Sequence, residues 1–491
     1  MRELAGHIEE KLHIEEKLDL VEKAISLSTD KGAEYAEARL QLNLSKEMLL
    51  QNGQLLPPNI TMNFGMGIRV LLNGILGFSS TTNLDEKSIS EAVNSACKSA
   101  MVSSALTSEK IKFGKERSHR DSIVIFGSRP FDDIDDSEKI NFMSEIDKTI
   151  LSSASKEIKV VNRMVEYTEH WVFKAVGNSD GSLIKTYLTR AELRSFSAFN
   201  YNGYLEQDLF QRGITGGWND LEEINFIEKL HDRTSSLCKV IMHGKSPPSG
   251  SIDVVMGGEV VGIAVHESCG HPYEADRILG REAAQAGESF MRREYLGERI
   301  SCEEVNVIDD PTFEKSFGFY LYDDECVKAR PRYLIKNGIV NEFLHNRHTA
   351  NVFDTESNAA ARAALFSREP IIRMSTTFIA PGEHTLDELL ENVRRGILIE
   401  TFGEWNIDDR RFNMRIVGRE AYMIRNGKIV HPVKRPVIEV TSLAFYKSID
   451  AVGKNLVFMS GHCGKGDPAQ IVPVWFGGPY IRLRRVRLGG V

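Results

Sequence analysis

Two-residue hairpin signals constrain this chain more than any other feature. Asn-Gly or Asp-Gly pairs stand at Asn52-Gly53, Asn73-Gly74, Asp180-Gly181, Asn337-Gly338 and Asn426-Gly427. Such pairs favour type I′ turns, in which both central residues take positive φ. Most of them sit between apolar or alternating runs: Ile68-Arg69-Val70-Leu71-Leu72 precedes one turn and Ile75-Leu76-Gly77-Phe78 follows it. Tyr333-Leu334-Ile335 and Ile339-Val340 flank another. Ahead of the first turn, Ala36, Ala38, Leu40, Leu42 and Leu44 alternate strictly, the pattern of a half-buried strand. Hairpins in both halves predict antiparallel sheets rather than βαβ winding.

Helical spacing is rarer. Ile89, Ala92, Val93, Ala96, Cys97 and Ala100 predict one helix, and Leu18, Val21 and Ile25 predict an earlier one over 18–28. Thr385 with Glu388 forms a capping box for a helix over Leu386–Arg395, with Gly396 as its C′ residue. The class is α+β: hairpin-rich antiparallel sheets with flanking helices. The 491 residues exceed what a single core supports, which predicts two domains. The turn-rich break Gly244-Lys245-Ser246-Pro247-Pro248-Ser249-Gly250 divides an N-terminal α+β domain, 1–244, from a C-terminal β-rich domain, 245–491.

Composition narrows the function. A formal net charge of −8 gives no general attraction to nucleic acid or anionic membrane. The basic end, Arg482-Leu483-Arg484-Arg485-Val486-Arg487, reads as a solvated strand face. The first residues hold no apolar run of the kind a secretory signal needs, and no stretch is long and apolar enough to span a bilayer. Six scattered cysteines without a CxxC pair argue against a disulfide framework and for a reducing compartment, the cytoplasm.

The chemistry concentrates after the apolar run Val260–Val265, in His266-Glu267-Ser268-Cys269-Gly270-His271. Two histidines with an adjacent glutamate resemble the zincin HExxH pattern, but the spacing here is five. On a regular helix, positions i and i+5 diverge by about 140° against about 40° for i and i+4. Sharing one metal therefore requires a π-type widening or an unwinding near His271, which Gly270 and Pro272 favour. Glu274 and Asp276 follow within a turn or two, placed to orient ligating histidines. A catalytic zinc takes a third protein ligand and keeps one position open. Cys463, in the glycine-rich loop expected over Ser460-Gly461-His462-Cys463-Gly464-Lys465-Gly466-Asp467, is the candidate; His462, Glu288 and Glu294 compete with it. That segment lacks the Walker spacing of a phosphate loop.

These residues, in this order, resemble the TldD/PmbA family, proteins named as modulators of DNA gyrase, on its TldD side. The likeness covers nearly the whole chain. It includes Gly67-Ile68-Arg69-Val70-Leu71, Gly77-Phe78-Ser79-Ser80-Thr81, the HExxxH segment and Val307-Ile308-Asp309-Asp310-Pro311-Thr312. It continues through Tyr322-Asp323-Asp324-Glu325, Pro381-Gly382-Glu383 and Cys463-Gly464-Lys465-Gly466. The resemblance implies a cytoplasmic zinc metallopeptidase with His266, His271 and Cys463 as Zn²⁺ ligands and Glu267 as general base. It also implies a dimer, formed with a non-catalytic TldE/PmbA-like sister subunit. Cys269 departs from the small residue usual at its position in the family.

The expected chemistry is hydrolysis of peptide bonds in unfolded proteins or short peptides, with a metal-activated water and Glu267 moving its proton. Strand edges would bind such chains in extended form. His345, Arg347 and His348 are the candidates for oxyanion stabilisation. The alternatives are a non-catalytic, zinc-containing protein that modulates a partner, and a hydrolase of small amides.

Overall fold

The computed structural model describes residues 14–106, 109–282 and 287–489. Long alternating runs make one large sheet of the first half: β1 (Tyr35–Gln51), β2 (Gln54–Leu55), β3 (Asn59–Leu72), β4 (Ile75–Thr81), β5 (Arg120–Ile125), β6 (Lys159–Asn178), β7 (Leu183–Tyr201) and β8 (Tyr204–Thr215). Their order is β4-β3-β1-β6-β7-β5, with β2 on β1 and β8 on β7. One face is covered by α1 (Asp19–Asp30) and α2 (Glu86–Ser103) at one end, and by α3 (Asp136–Ser153) and α4 (Phe226–His243) at the other. The periodic residues Ile89, Val93, Ala96 and Ala100 are buried against Ala38, Leu40 and Ile68. Asp85 caps α2 by accepting from Ser88 N at 2.9 Å.

The second half opens at Gly250–Met256, in the middle of a nine-stranded sheet whose one edge is Phe402–Ile407. A six-stranded sheet holds Thr376–Ile379, Gln470–Gly478 and Val457–Lys465 side by side. A single core lies between these sheets and encloses the apolar helix α5 (Gly258–Val265).

The hairpin turns form as expected at Asn52-Gly53, Asn73-Gly74, Asn337-Gly338 and Asn426-Gly427, where every asparagine and glycine has positive φ. Asn202-Gly203, an equally legible pair passed over above, joins β7 to β8 in the same way. Four expectations change. The sheets are mixed, because β5 with β7, Gly250–Met256 with Arg395–Ile399, and Thr376–Ile379 with Gln470–Gly478 run parallel. The capping box at Thr385 is present, but its helix stops at Glu391, and Gly396 lies in the strand Arg395–Ile399 that fills the sheet interior. The basic terminal strand is not simply solvated, since Arg482 is buried with both Asp450 oxygens, at 2.9 and 3.1 Å.

β1 supplies the fourth, being buried on both faces rather than one. Its apolar residues meet the helices, and its polar residues Glu37, Arg39 and Gln41 are only 3%, 2% and 1% exposed. The second half of the chain covers that polar face and satisfies it. Arg69 lies between Glu37, at 2.7 Å, and Glu325, at 2.8 Å. Lys174 pairs with Asp324 at 2.9 Å, and Arg39 donates to the carbonyls of Leu365 and Arg368.

Removing one member of a buried ion cluster strands the others. Arg69→Met is expected to cost about 3–5 kcal/mol in denaturant unfolding. Arg120→Ala, which breaks the exposed pair with Glu22, should cost under about 1 kcal/mol. Equal losses in the two variants would mean that the interface charges do not hold the halves together.

Candidate metal centre

All eight residues of α5 are buried, and beyond Glu259 in its first turn the helix is apolar all round, as a helix inside a core must be. It packs closely: a Cβ on Gly262 would fall 2.6 Å from Gly477 N, and one on Gly258 would fall 2.3 Å from Gly478 O. At its end the backbone widens into a π turn over His266–Gly270, closed by His271 N donating to His266 O. Closure at i→i+5 brings His266 and His271 onto the same side. Their ring centroids are 5.0 Å apart. Gly270 is needed at this turn because a Cβ there would meet Met374 Sδ at 1.9 Å. A 3₁₀ turn over His271–Tyr273, with Pro272 inside it, ends the helical run.

Cys463 approaches from the facing sheet. The segment read above as a glycine-rich loop is the strand Val457–Lys465, paired antiparallel with Gln470–Gly478, Cys463 opposite Val472. Gly461 is there for packing, since a Cβ would meet the Phe476 ring at 2.7 Å. Strand alternation turns Cys463 and Lys465 inward and His462 and Gly464 outward. One ligand atom from each of His266, His271 and Cys463 then lies within 4.8 Å of the other two, all three residues being buried. Cys463 Sγ is 3.3 Å from His271 Nε2.

Around these atoms the charges are ordered. Burial alone would raise the Cys463 thiol, yet His271, Arg373 and His266 hold it well below its ordinary value. His271 Nδ1 pairs with Glu274 Oε2 at 3.2 Å, which directs its Nε2 toward Cys463. Lys465 Nζ links Glu274, at 3.1 Å, to Asp276, at 2.7 Å. Despite its burial, Glu274 is held far below the usual carboxylate range by Lys465 and His271. His266 Nδ1 is buried with no hydrogen-bond partner among the described residues. A thiolate, two imidazoles and an orphaned buried nitrogen fit a borderline-soft divalent ion such as zinc.

The centre forms part of the wall of a cavity of about 450 Å³, which Glu267 and Arg411 also line. Glu267 Oε2 accepts from Arg411 Nη1 at 2.6 Å, with both side chains buried. Arg411 sits at φ 63° in the tight turn after Phe402–Ile407, a turn closed by Asp408 accepting from Phe412 N at 2.7 Å. Trp405, 43% exposed, stands on that edge strand at the cavity. The first half of the chain reaches the same place: Arg212 and Arg233 hold Glu259 at 2.6 and 2.8 Å, on the first turn of α5.

Comparison with known proteins gives matches along nearly the whole chain. The PmbA/TldA metallopeptidase domain 1 matches residues 36–100, the central domain 129–237 and the C-terminal domain 249–490. A metalloprotease of Methanothermobacter thermautotrophicus is 32% identical over 467 residues, covering 95% of this chain and 98% of its own. The chain belongs to the PmbA/TldD family. A zinc metalloprotease TldD homolog of Saccharolobus solfataricus is 26% identical over 95% of this chain and 99% of its own length. The fold is shared with TldE from Thermococcus kodakarensis, at TM-score 0.70, 17% identity and coverage of 96% and 100%. A Thermotoga maritima crystal structure gives TM-score 0.76 at 18% identity, covering 96% of this chain and 99% of its own.

In this PmbA/TldD member the first two family domains share one sheet, through the pairing of β1 with β6. The other ligand candidates from the sequence are not part of the three-residue cluster. His462 pairs with Glu192 at 2.8 Å; Glu288 and Glu294 line a separate shallow pocket, where Glu288 faces Arg410. The oxyanion candidates do not reach the cavity. His345 is bonded to Thr349, Arg347 to Gly114 O and Asp180, and His348 to Arg281. Cys269 turns toward the buried hydroxyls of Tyr446 and Tyr273, away from the three-residue cluster. All six cysteines are free thiols, and five are buried. No helix among the described residues is long and apolar enough to cross a membrane. Arg411 was invisible to sequence reading, because Asp408-Asp409-Arg410-Arg411 looks like any charged turn.

A metal held by these three donors makes distinct demands on the cysteines. Cys463→Ala should lose most of the zinc in metal analysis, since two protein ligands seldom suffice. Cys269→Ala should keep it. Glu274→Gln should weaken zinc affinity by about 10–100-fold. Retention in Cys463→Ala with loss in Cys269→Ala would reverse the assignment.

Proposed function

We propose that this protein is a zinc-dependent peptidase that cleaves short or unfolded polypeptides, with its centre in a C-terminal domain running from residue 245. His266, His271 and Cys463 would hold the ion, and Glu267 would act as general base. One observation carries the reading: three convergent buried donors and an adjacent carboxylate share the wall of an open cavity of about 450 Å³. A closed structural site would use a fourth protein ligand, and the described residues contribute three to this cluster.

When bound, zinc supplies Lewis-acid polarisation of a carbonyl and acidification of water. The chain's own groups do the rest. Glu267 takes up a proton from water and returns it to the leaving amine. Arg411 fixes the orientation of that carboxylate through Oε2 and contributes positive charge to the wall where negative charge would develop. Glu274 holds His271 in place through Nδ1. The edge strand Phe402–Ile407 offers backbone groups beside the cavity, to which an extended chain can pair. Recognition led by backbone hydrogen bonds is loose toward side chains, and a folded substrate would first have to expose a segment at a cost in free energy. A TldE/PmbA-like sister subunit, implied by the family resemblance, belongs to this proposal and would help wall the cleft.

Glu267→Gln is expected to keep its zinc while turnover falls by roughly 10²–10⁴-fold. Full activity in that variant would remove the general-base role. Zinc present at stoichiometry in the unaltered protein, with no turnover of any peptide tried with or without a sister subunit, would favour the non-catalytic reading. One test protein offered folded and then unfolded should be cut only in the second form. Equal cleavage of both would refute the restriction to flexible chains.

A further inference from the structure

A second cavity, of about 270 Å³, lies where the polar face of the first sheet meets the second half of the chain. It adjoins the metal cavity, and His462 lines both. Its walls are apolar over Val172, Leu188, Phe319 and Val472; its charged lining is Arg190, Arg362, the Lys174–Asp324 pair and Asp323, whose oxygens accept from Val327 N and Ala361 N.

Arg190 and Arg362 are the unusual members. Arg190 is 8% exposed; it donates to Thr215 Oγ1 at 3.2 Å, Phe317 O at 2.8 Å and Phe319 O at 2.9 Å. Arg362 is 7% exposed and donates to the carbonyls of Met374 and Pro473. All these acceptors are neutral, and neither guanidinium forms an ion pair among the described residues. The carboxylates nearest in the field of Arg362 are committed elsewhere, Asp324 to Lys174 and Asp309 to Arg332. Other buried cations here either have acidic partners, as Arg69 has Glu37 and Glu325 and Lys174 has Asp324, or, like Arg39 and Arg373, donate to carbonyls without lining this cavity. A buried charge without a counter-ion costs several kcal/mol, so two facing one cavity call for an anion. Burial, with Arg362 adding repulsion, pulls Arg190 down to about 9.

His170, on β6, lines the same cavity. Burial, with His462 and Arg190 adding to it, holds it neutral, its pKa lowered to about 4. A neutral imidazole offers one N–H donor without further like-charge repulsion.

We propose that the Arg190–Arg362–His170 cavity binds a carboxylate that carries a small apolar body, as at the end of a peptide or on an acidic side chain. The guanidinium planes match a carboxylate, and the apolar walls suit the rest of the residue. This site lies outside the metal centre, and its occupancy does not depend on the hydrolytic reading.

The test is isothermal titration calorimetry on chelator-treated full-length protein, with no turnover and no metal to compete for the ligand. The probes are N-acetyl-leucine, N-acetyl-leucinamide and the α-amide of N-acetyl-aspartate. A carboxylate probe should bind at least tenfold more tightly than N-acetyl-leucinamide. Arg190→Gln should lower that affinity at least tenfold, and Thr186→Trp, which fills the cavity, should abolish it. Arg411→Gln, at the metal cavity, should leave it unchanged. If Arg190→Gln fails to fold, His170→Leu and Thr186→Trp carry the test. Equal binding of acid and amide, or binding that survives Thr186→Trp, would overturn the site. Preference for N-acetyl-leucine would name a chain terminus as the source, and preference for the aspartate amide would name an acidic side chain; either upholds a carboxylate site.

Discussion

The candidate metal centre depends on one widened turn. A regular helix would set His266 and His271 on different sides, and the i→i+5 closure from His271 N to His266 O removes that divergence. The widening is held by packing on both sides of it. Gly262 and Gly258 let α5 lie against the Gln470–Gly478 strand, and Gly270 admits Met374 where any side chain would collide. Because that strand pairs with Val457–Lys465, the contact that seats the helix also sets the register that brings Cys463 opposite the two histidines.

The first half of the chain supports this centre mainly through buried charge, beside one small shared apolar cluster of Ile123, Val176, Ile184 and Cys326. The polar row of β1 and the cations of β6 and β7 meet carboxylates and carbonyls from the region 309–365. At the other end Arg212 and Arg233 reach across to Glu259 on α5. Buried pairs of this kind add little net stability, but they penalise any displacement that would separate them, so they specify how the halves sit. The metal cavity and the Arg190–Arg362 cavity both open along this junction and share His462.

Much of this was readable in advance. The five-residue spacing of the histidines required a π-type widening or an unwinding, of which the structure has the first, and Glu274 stands beside His271 as its position suggested. The asparagine–glycine turns and the Thr385 capping box are local chemistry, and local chemistry survives in the fold. The misreadings share a cause. Leu386–Arg395 looks helical until Arg395–Ile399 is claimed by two neighbouring strands. Ser460–Asp467 looks like a loop until Gly461 is seen to make room for Phe476 within a strand. Glu37, Arg39 and Gln41 look solvated because a sequence gives no sign that another part of the chain will cover them.

By itself, the sequence determined the hairpins, the α+β class, the apolar helix leading to HExxxH and the need for that helix to widen. Each of these follows from side chains a few residues apart, whose steric and hydrogen-bonding preferences act within one element. Only the tertiary structure decided that Cys463, and not His462, faces the histidines, that Arg411 grips Glu267, and that His345, Arg347 and His348 stay away from the cavity. These outcomes depend on strand register and on contacts between distant segments, more than a hundred residues apart for Cys463 with His271, Arg411 with Glu267 and Arg347 with Gly114. A one-residue slip in the Val457–Lys465 pairing would exchange Cys463 for a neighbour facing the opposite way.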